Sequence, residues 1–268
     1  MASILNNIAA LGASRQLSAT SIGLNKTIER LTSGKRINRA SDDAAGLAIS
    51  NKLGADIRIA GQGQRNANDG ISTLQTADGV LEEVTNLLTR AAELSQQAAS
   101  STSGADSGTG KAALDAEFQK IIVTISDIEG STKFNGAKVF GGSALAVAVG
   151  GFTTVNVTVG TFNTLSASTD SLQTATGAGT AATDVKSMLD TVSTLRGTLG
   201  AAQQQLQSVS NSLGIQVENF TAAYSQIRDA NVADEVVNLS KFQILNQSGI
   251  SALSQANQSS QSILALLR

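Results

Sequence analysis

Two pairs of adjacent carboxylates are the residues of this sequence best suited, by type, to acid–base chemistry. They are Glu82 with Glu83 and Asp234 with Glu235. Neighbouring residues of a helix project about 100° apart, so neither pair converges on a substrate, and we expect four solvated side chains. The sequence has no histidine and no cysteine, which excludes an imidazole base, a thiol nucleophile and a zinc site built from those ligands. It therefore predicts no catalytic residue, no metal site and no cofactor.

The charge balance and the hydropathy pattern exclude two classes of partner. The 268 residues include 19 basic and 21 acidic side chains, for a net charge of −2, whereas nucleic-acid-binding domains are usually strongly basic. Asn6 and Asn7 interrupt the first apolar run, so no secretory signal peptide is expected. No stretch reaches the roughly 18 apolar residues of a membrane span. We expect neither nucleic acid nor a membrane as a partner.

A long heptad pattern predicts one long helix in the first half of the chain. Every seventh residue from Leu53 to Leu88 is apolar, which predicts a helix over roughly residues 44–99 with one apolar stripe. Ser41 and Asp42 are the candidate N-cap residues of this helix, and Asp43 lies close to the positive end of its dipole.

Two further patterns predict the helices that cover this stripe. Apolar residues from Leu114 to Ile128 alternate steps of four and three, and Gly130 is expected to end that helix. From Val185 to Ile227 every seventh residue is again apolar. Because a helix of that length is not stable alone in water, we predict a mainly α fold, a long antiparallel helical bundle or coiled coil.

The middle of the chain has the composition of β-structure. Glycine, threonine and valine dominate residues 131–182, and Thr153–Val159 alternates with its valines on one face. Val147–Val149 is a second candidate strand, and the glycine pairs 141–142 and 150–151 are typical of hairpin turns. The sequence therefore predicts a small β-hairpin region between the long helices.

Both ends of the chain are helical in pattern but only weakly amphipathic. Their apolar positions recur at heptad spacing, are interrupted by asparagine and serine, and carry too little apolar area to hold a monomer together. Such segments need a partner to bury their stripes. Gly34 is expected to end the first of these helices. The apolar positions are Leu17, Leu24 and Leu31 at one end and Leu253, Leu264 and Leu267 at the other.

At Leu31–Ile49, at Phe134–Val139 and from Ile227 onward, the chain resembles the signatures of bacterial flagellin. Leu31–Ile49 reads LTSGKRINRASDDAAGLAI and resembles the N-terminal signature of the family. Phe134–Val139, FNGAKV, is similar to the family's junction between helix and hairpin. The segment IRDANVADEVVNLSKFQILNQSGISALSQANQ resembles the C-terminal signature. The resemblance covers about residues 1–140 and 180–268.

The resemblance implies a structural subunit that self-assembles into the helical filament of the bacterial flagellum and serves swimming. It implies an inner terminal coiled-coil domain, residues 1–43 and 230–268, which includes a connecting spoke. A helical-bundle domain, residues 44–229, would carry the hairpin insert at about residues 131–182. Outer domains of larger members are expected to be absent, and the implied location is the extracellular filament, reached through the flagellar type III export apparatus.

The resemblance also implies partners and contact residues. The partners are further copies of the chain, the export apparatus with its export chaperone, the filament cap and hook-junction proteins, and a host Toll-like receptor. The terminal leucines named above and the charged residues of the spoke are expected to contact neighbouring subunits. The charged residues of the spoke are Lys35, Arg36, Arg39, Asp42 and Asp43.

A second implied site is the patch by which the innate-immune receptor senses many flagellins. The segment LTRAAELSQQA places Arg90 and Leu94 in that patch, and Glu117 on the following helix matches its acidic partner. The family's second arginine is Ala92 in this chain. The alternative is that Arg90 and Glu117 are ordinary surface charges and that Leu94 is ordinary packing.

Three other functions remain to be weighed against the filament subunit. A hook–filament junction protein shares the inner helical architecture but caps or adapts the filament. A flagellin with an inserted peptidase domain would need a longer insert and a histidine-based zinc motif. A coiled-coil effector of a type III system is more distant, because the resemblance to flagellin extends over both ends of the chain.

Overall fold

The computed structural model describes residues 7–100, 108–141, 144–150, 154–162 and 171–266, without the side chains of 108–109 and 260–266. These residues form five helices and four short strands in a mainly α fold, as the heptad patterns predict. The helices are α1 (Ile8–Ser33), α2 (Ala44–Ala99), α3 (Gly108–Ser131), α4 (Ala175–Arg228) and α5 (Val232–Leu266). The strands are β1 (Lys133–Phe134), β2 (Ala137–Lys138), β3 (Ala144–Ala148) and β4 (Thr154–Thr158).

Helix α2 confirms the predicted bounds but not the predicted N-cap. The side chain of Asp43 accepts a hydrogen bond from the amide of Gly46 at 2.8 Å, which is the geometry of an N-cap residue. Ser41 and Asp42 lie in the preceding turn, and Asp42 uses its carboxylate on other partners. The predicted caps were therefore wrong by one or two positions.

The ends of α1 and α3 show why a glycine alone does not define a helix end. Gly34 has a φ of 68° and ends α1 in the left-handed conformation, as predicted. Gly130, by contrast, lies inside α3, which continues to Ser131. The amide of Thr132 still donates to the carbonyl of Ile128, so the helix ends where strand β1 begins rather than at the glycine.

A single apolar core joins α2, α3, α4 and the β3–β4 hairpin. The heptad residues of the long helices that belong to this core are almost completely buried, including Leu74, Leu81 and Leu88 of α2. Phe118 of α3 and Leu206 of α4 belong to the same cluster. Since Leu199, Leu206 and Leu213 of the α4 seam are all buried, the predicted interlocking of the three seams is confirmed.

The β3–β4 hairpin has the valine face that the sequence predicts, whereas the β1–β2 turn was not predicted, since turns were expected at the glycine pairs 141–142 and 150–151. Asn135 and Gly136 connect β1 to β2 with φ values of 49° and 82°, as a two-residue type I′ turn requires. Strand β4 pairs antiparallel with β3, with Val155 opposite Val147. Val155, Val157 and Val159 are all buried against the helices.

Two glycines of α2 let the β3–β4 hairpin lie directly on the helix backbone. A Cβ atom at Gly63 would come within 2.8 Å of the Gly150 amide nitrogen, and one at Gly70 within 2.9 Å of a Val147 methyl. The side-chain amide of Asn66, between them, donates to the carbonyl of Ala148 at 2.8 Å. Any larger residue at Gly63 would push the hairpin away from the core.

Asp115 of α3 attaches the chain segment that enters α4. Its buried carboxylate accepts hydrogen bonds from the amide of Leu172 at 2.8 Å and from the side-chain amide of Gln173 at 3.1 Å. Burial would raise the pKa of this carboxyl, but these bonds, with those of Gln119 and Ser171, outweigh it and lower the pKa.

The chain divides into two compact units, which we name the terminal unit and the central unit. The terminal unit comprises Met1–Ile57 and Glu218–Arg268, and the central unit comprises Arg58–Val217. The boundaries lie inside α2 and α4, whereas the predicted domains changed at residues 43–44 and 229–230, at the helix ends. The role of the terminal unit as the filament core stays a prediction.

The core seam generates a first testable prediction. Leu206→Asp places a charge among fully buried side chains, so we expect it to lower the free energy of unfolding by about 3 kcal/mol or more. Urea unfolding followed by circular dichroism measures this loss. Gln207→Asp, at the exposed neighbouring position, is the matched control and should remain close to the parent. Equal stability of the two variants would contradict the position of this seam.

Candidate functional site: the terminal helices

Helices α1 and α5 pack against each other as an antiparallel pair in one defined register. Large residues of one helix lie over glycines of the other, and one ion pair connects them. The positions paired in this way are Leu17 with Gly249, Gly23 with Phe242 and Arg30 with Glu235. From the first pair to the last, the position on α1 rises from 17 to 30 while the position on α5 falls from 249 to 235. These nearly equal steps define how far one helix is shifted along the other.

The contact at Gly23 shows how closely the helices approach. A Cβ atom on this residue would lie 2.6 Å from the ring of Phe242, so only glycine leaves room for the aromatic side chain. The reciprocal contact, in which Leu17 approaches Gly249, is looser, at 3.2 Å. Small residues on each helix therefore replace the interlocking side chains of an ordinary hydrophobic core.

The ion pair between Arg30 and Glu235 is the most deeply buried polar contact of this pair of helices. Its Nη1 and Oε1 atoms are 3.0 Å apart, and the side chains are 26% and 9% exposed. Glu235 was expected to be a solvated surface carboxylate, and that expectation was wrong. A salt bridge with Arg30, 205 positions away, explains its burial.

Most apolar side chains of α1 and α5 remain open to solvent. Leu17, Leu24, Leu31 and Leu253, expected at subunit contacts, are each half-buried. Leu264 lies on α5 but its side chain is outside the described residues, as is the whole of Leu267. The large exposed apolar residues are Ile8, Leu11, Ile22 and Ile28 on α1 and Val232, Val236, Val237, Ile244, Leu245 and Ile250 on α5. Large apolar side chains exposed in this number on two paired helices indicate an interaction site.

The connecting segment, residues 34–43 between α1 and α2, is the spoke of the sequence analysis. It is held to the end of α4 by backbone pairing. Lys35 and Asp229 form an antiparallel bridge, and the amide of Arg36 donates to the carbonyl of Arg228 at 2.7 Å. The guanidinium of Arg36 also donates to the carbonyl of Ile227 at 2.8 Å. Arg36 therefore satisfies carbonyls that the C-terminus of α4 would otherwise leave open, at the negative end of its dipole.

Ile37 is the residue of this segment that sequence reasoning missed. It is 1% exposed, and it is the one fully buried hydrophobic residue among the described residues of the terminal unit. A Cβ atom at Gly46 would lie 2.8 Å from its Cδ1 atom, so glycine at that position makes room for it. The available signal was its position as a lone large apolar residue in the polar run SGKRINRASDD.

Asp42 is the electrostatic centre of the connecting segment. Its Oδ1 atom lies 2.7 Å from the ammonium of Lys26, and its Oδ2 atom accepts hydrogen bonds from the amides of Arg39 and Asn38. The bond from Lys26, followed by that from the Arg39 amide, lowers the pKa of Asp42 to about 2. Arg39 makes a separate pair with Glu29 of α1 at 3.0 Å.

The three residues of the predicted receptor patch have unequal exposure. Arg90 is half exposed and pairs with Glu117 of α3 at 2.8 Å and with Glu93 at 3.2 Å. Leu94 has no exposed surface and belongs to the central core, so its packing is the ordinary one that the alternative expected. The structure brings Arg90 and Glu117 together, and their role in recognition stays a prediction.

The part of the chain that the structure describes contains neither a metal-binding group of side chains nor a helix suited to cross a membrane. In that part of the chain no group of three or more acidic residues is arranged to hold a metal ion. No described helix has the length and apolarity needed to cross a bilayer. Glu82 and Glu83 are both exposed on α2, as expected.

Asp42 generates a prediction about pH. Because the pKa of Asp42 is lowered from 3.8 to about 2 in the folded chain, its contribution to stability is present above pH 3.8 and lost as the pH falls towards 2. Asp42→Asn should therefore be less stable than the parent at pH 7, and the difference should shrink between about pH 4 and pH 2. Urea unfolding of both proteins across this range measures it. A difference that does not change with pH would contradict the assignment.

Comparisons with known proteins match this sequence over its full length and this fold over part of it. The family model described as the bacterial flagellin N-terminal helical region matches residues 4–144, and the bacterial flagellin C-terminal helical region matches residues 182–267. Flagellins of Halalkalibacterium halodurans and Bacillus subtilis are 38% and 34% identical to this chain. Each alignment covers 99% of this chain and 99% of the relative. The crystal structure of Bacillus cereus flagellin gives a TM-score of 0.51 at 27% identity and covers 60% of this chain and 94% of that one. With matches at both ends and relatives of full length, the chain belongs to the bacterial flagellin family.

Proposed function

We propose that copies of this chain polymerise into the filament of a bacterial flagellum through the apolar surface of α1 and α5. One observation carries the proposal: among the described residues, ten large apolar side chains of these helices are exposed, while Ile37 is the one hydrophobic residue that the terminal unit buries. A paired but uncovered set of helices gains most by packing against the same helices of neighbouring subunits. Membership of the flagellin family supports the same conclusion.

The magnitudes favour a polymer over a monomer. Each exposed isoleucine or leucine that becomes fully buried contributes about 1.5–3 kcal/mol. Several such residues per subunit offset the free-energy cost of association, which is about 4–15 kcal/mol. A contact between two different surfaces that does not close into a ring propagates as an open helix, which is the form of a filament.

The register of α1 against α5 determines the layout of the proposed contact surface. Because Gly23, Gly249 and the Arg30–Glu235 pair determine the stagger, the exposed side chains of both helices lie at defined positions. Leu17, Leu24 and Leu31, which are half-buried, retain area for the neighbouring subunit. We assign subunit contacts to these leucines, to Leu253, and to the charged residues of the connecting segment.

The remaining partners follow from family membership. The export apparatus and its chaperone would bind the chain before assembly, and the cap and hook-junction proteins would meet it at the filament ends. The location proposed for the assembled chain is outside the cell. The relatives reported above are themselves flagellins, which favours a polymerising subunit over a hook–filament junction protein.

Seeded assembly tests the proposed function. Purified monomer, mixed with filament fragments in moderate salt, should form long tubes of uniform diameter in negative-stain electron micrographs. Monomer that binds existing filament ends without extending them would favour a junction protein, and monomer that ignores them would contradict both functions.

A substitution on α5 tests the surface itself. Ile244 is 66% exposed, so Ile244→Ser should leave the monomer's stability nearly unchanged and raise the critical concentration for assembly by about tenfold. Pelleting of filaments at graded protein concentrations measures this value. Gln243→Ser, at the exposed neighbouring position, is the matched control, and an equal effect in both variants would remove Ile244 from the surface.

The receptor patch has a separate test. Arg90 and Glu117 form an exposed pair between α2 and α3, and we propose that the monomer offers this pair to a Toll-like receptor. Arg90→Ala should weaken binding to the receptor ectodomain by about fivefold or more, measured by surface plasmon resonance. Lys186→Ala, which removes another exposed cation, is the control. Unchanged affinity of the Arg90 variant would remove the proposal.

A further inference from the structure

The central unit contains an apolar cleft with one charge of each sign at its edge. The cleft has a volume of about 590 Å³ and lies among α2, the β1–β2 hairpin and β3. Phe134 and Leu145, both half-buried, contribute to its apolar lining. Asp69 of α2 and Lys138 of β2 also line it, and both are exposed.

The central unit also presents an exposed apolar side chain between two opposite charges. Val123 on α3 is 52% exposed. Lys120 and Asp127, three residues before it and four after it, are exposed on the same face of the helix. The sequence places a cation, an apolar side chain and an anion in a row along α3.

The cleft and this row are complementary in charge, and each has an apolar centre. The cleft offers an apolar concavity with an anion and a cation, and the row offers an apolar projection with a cation and an anion. Within the part of the chain that the structure describes, none of the four charged side chains makes an ion pair or a side-chain hydrogen bond. Each therefore remains available to a partner.

The other exposed apolar residues of the central unit lack this arrangement. Ile215 of α4 is 60% exposed, but its neighbours at three and four residues are Asn211, Ser212, Glu218 and Asn219. One acidic residue cannot match both charges of the cleft. Because Val123 is itself exposed, the cleft of its own copy does not hold it, and the complementary cleft must belong to another copy.

We propose that Val123 of one subunit inserts into the cleft of a neighbouring subunit, with Lys120 facing Asp69 and Asp127 facing Lys138. The contact joins two different surfaces, so it leaves one projection and one cleft free at its ends, and with a rotation that does not close a ring it propagates as an open chain of subunits. It rests on the proposed polymerisation and adds a second, chemically distinct contact to that of the terminal helices. The two charge pairs set the direction in which the row enters the cleft.

Disulfide trapping in assembled filaments tests the contact directly, because the chain contains no cysteine. Val123→Cys and Ala137→Cys place single thiols on the row and on the cleft edge, where Ala137 is exposed. Filaments assembled from an equal mixture of the two variants should give cross-linked dimers of twice the 27.3 kDa chain mass on mild oxidation. Filaments of either variant alone should not, since the contact joins unlike surfaces.

Either of two results in well-formed filaments would overturn the proposal: no dimer from the mixture, or as much dimer from one variant alone. In that case Val123 of a neighbouring subunit is not the residue that occupies the cleft. Failure of the unmodified chain to assemble at all is a different result, because it contradicts the proposed function and not this contact alone.

Charge reversal gives an independent measurement. Lys120→Glu should raise the critical concentration for assembly by about fivefold, and adding Asp69→Lys to the same chain should restore most of it, since both charges are then exchanged. Lys186→Glu, at an exposed lysine of α4 outside the cleft, is the control and should assemble like the parent. A double variant that assembles no better than Lys120→Glu would contradict the pairing.

Discussion

Burial of apolar side chains is the interaction on which the rest of this molecule depends, because helices of 54 and 56 residues do not persist without tertiary partners. The central unit supplies those partners within one chain: the seams of α2, α3 and α4 bury one another and the valines of β3 and β4. The terminal unit has long helices as well, but it leaves their apolar residues exposed. The same physical requirement is therefore met inside the subunit in the central unit, and by our proposal it is met between subunits in the terminal unit.

Glycine has an unusual share in this packing because the chain has few large residues to interlock. It contains 25 glycines, seven phenylalanines, one tyrosine and no tryptophan. At Gly63 and Gly70 a hairpin lies on a helix backbone, at Gly23 a phenylalanine ring does, and at Gly46 an isoleucine does. Close approach of backbones yields many small dispersion contacts where bulky side chains are scarce. Each of these sites tolerates no added methyl group without displacement of its neighbour.

The sequence predicted those features that repeat along one segment. The heptads of α2 gave its bounds, the alternating valines gave β4, and Gly34 gave the end of α1, because each depends on local geometry. Features that depend on a partner outside the local pattern were not predicted. The burial of Glu235 requires Arg30 at the other end of the chain, and the burial of Ile37 requires the space that Gly46 leaves for it. The prediction that Gly130 ends α3 was wrong, because the helix continues to Ser131 and stops just before strand β1 begins at Lys133.

The candidate site, like the fold, was predicted only in part. The weak stripes of the ends predicted surfaces short of partners; their described leucines are half-buried, and other large apolar residues of the same helices are exposed. The resemblance placed Arg90, Leu94 and Glu117 in one patch, but spacing alone does not distinguish a seam residue from its exposed neighbour, and Leu94 lies in the core. The cleft beside Asp69 could not be read from the sequence, since it forms where residues from four separate segments meet.

The stagger of α1 against α5 has a consequence for how the chain can vary over time. An insertion of one residue in either helix rotates everything beyond it by about 100° and shifts it by about 1.5 Å. Such a change would take Phe242 away from Gly23 and Glu235 away from Arg30 together. Substitutions among the solvent-facing polar residues of these helices disturb none of the pairs. The terminal helices are thus constrained more tightly in length than in the composition of their solvent-facing polar positions.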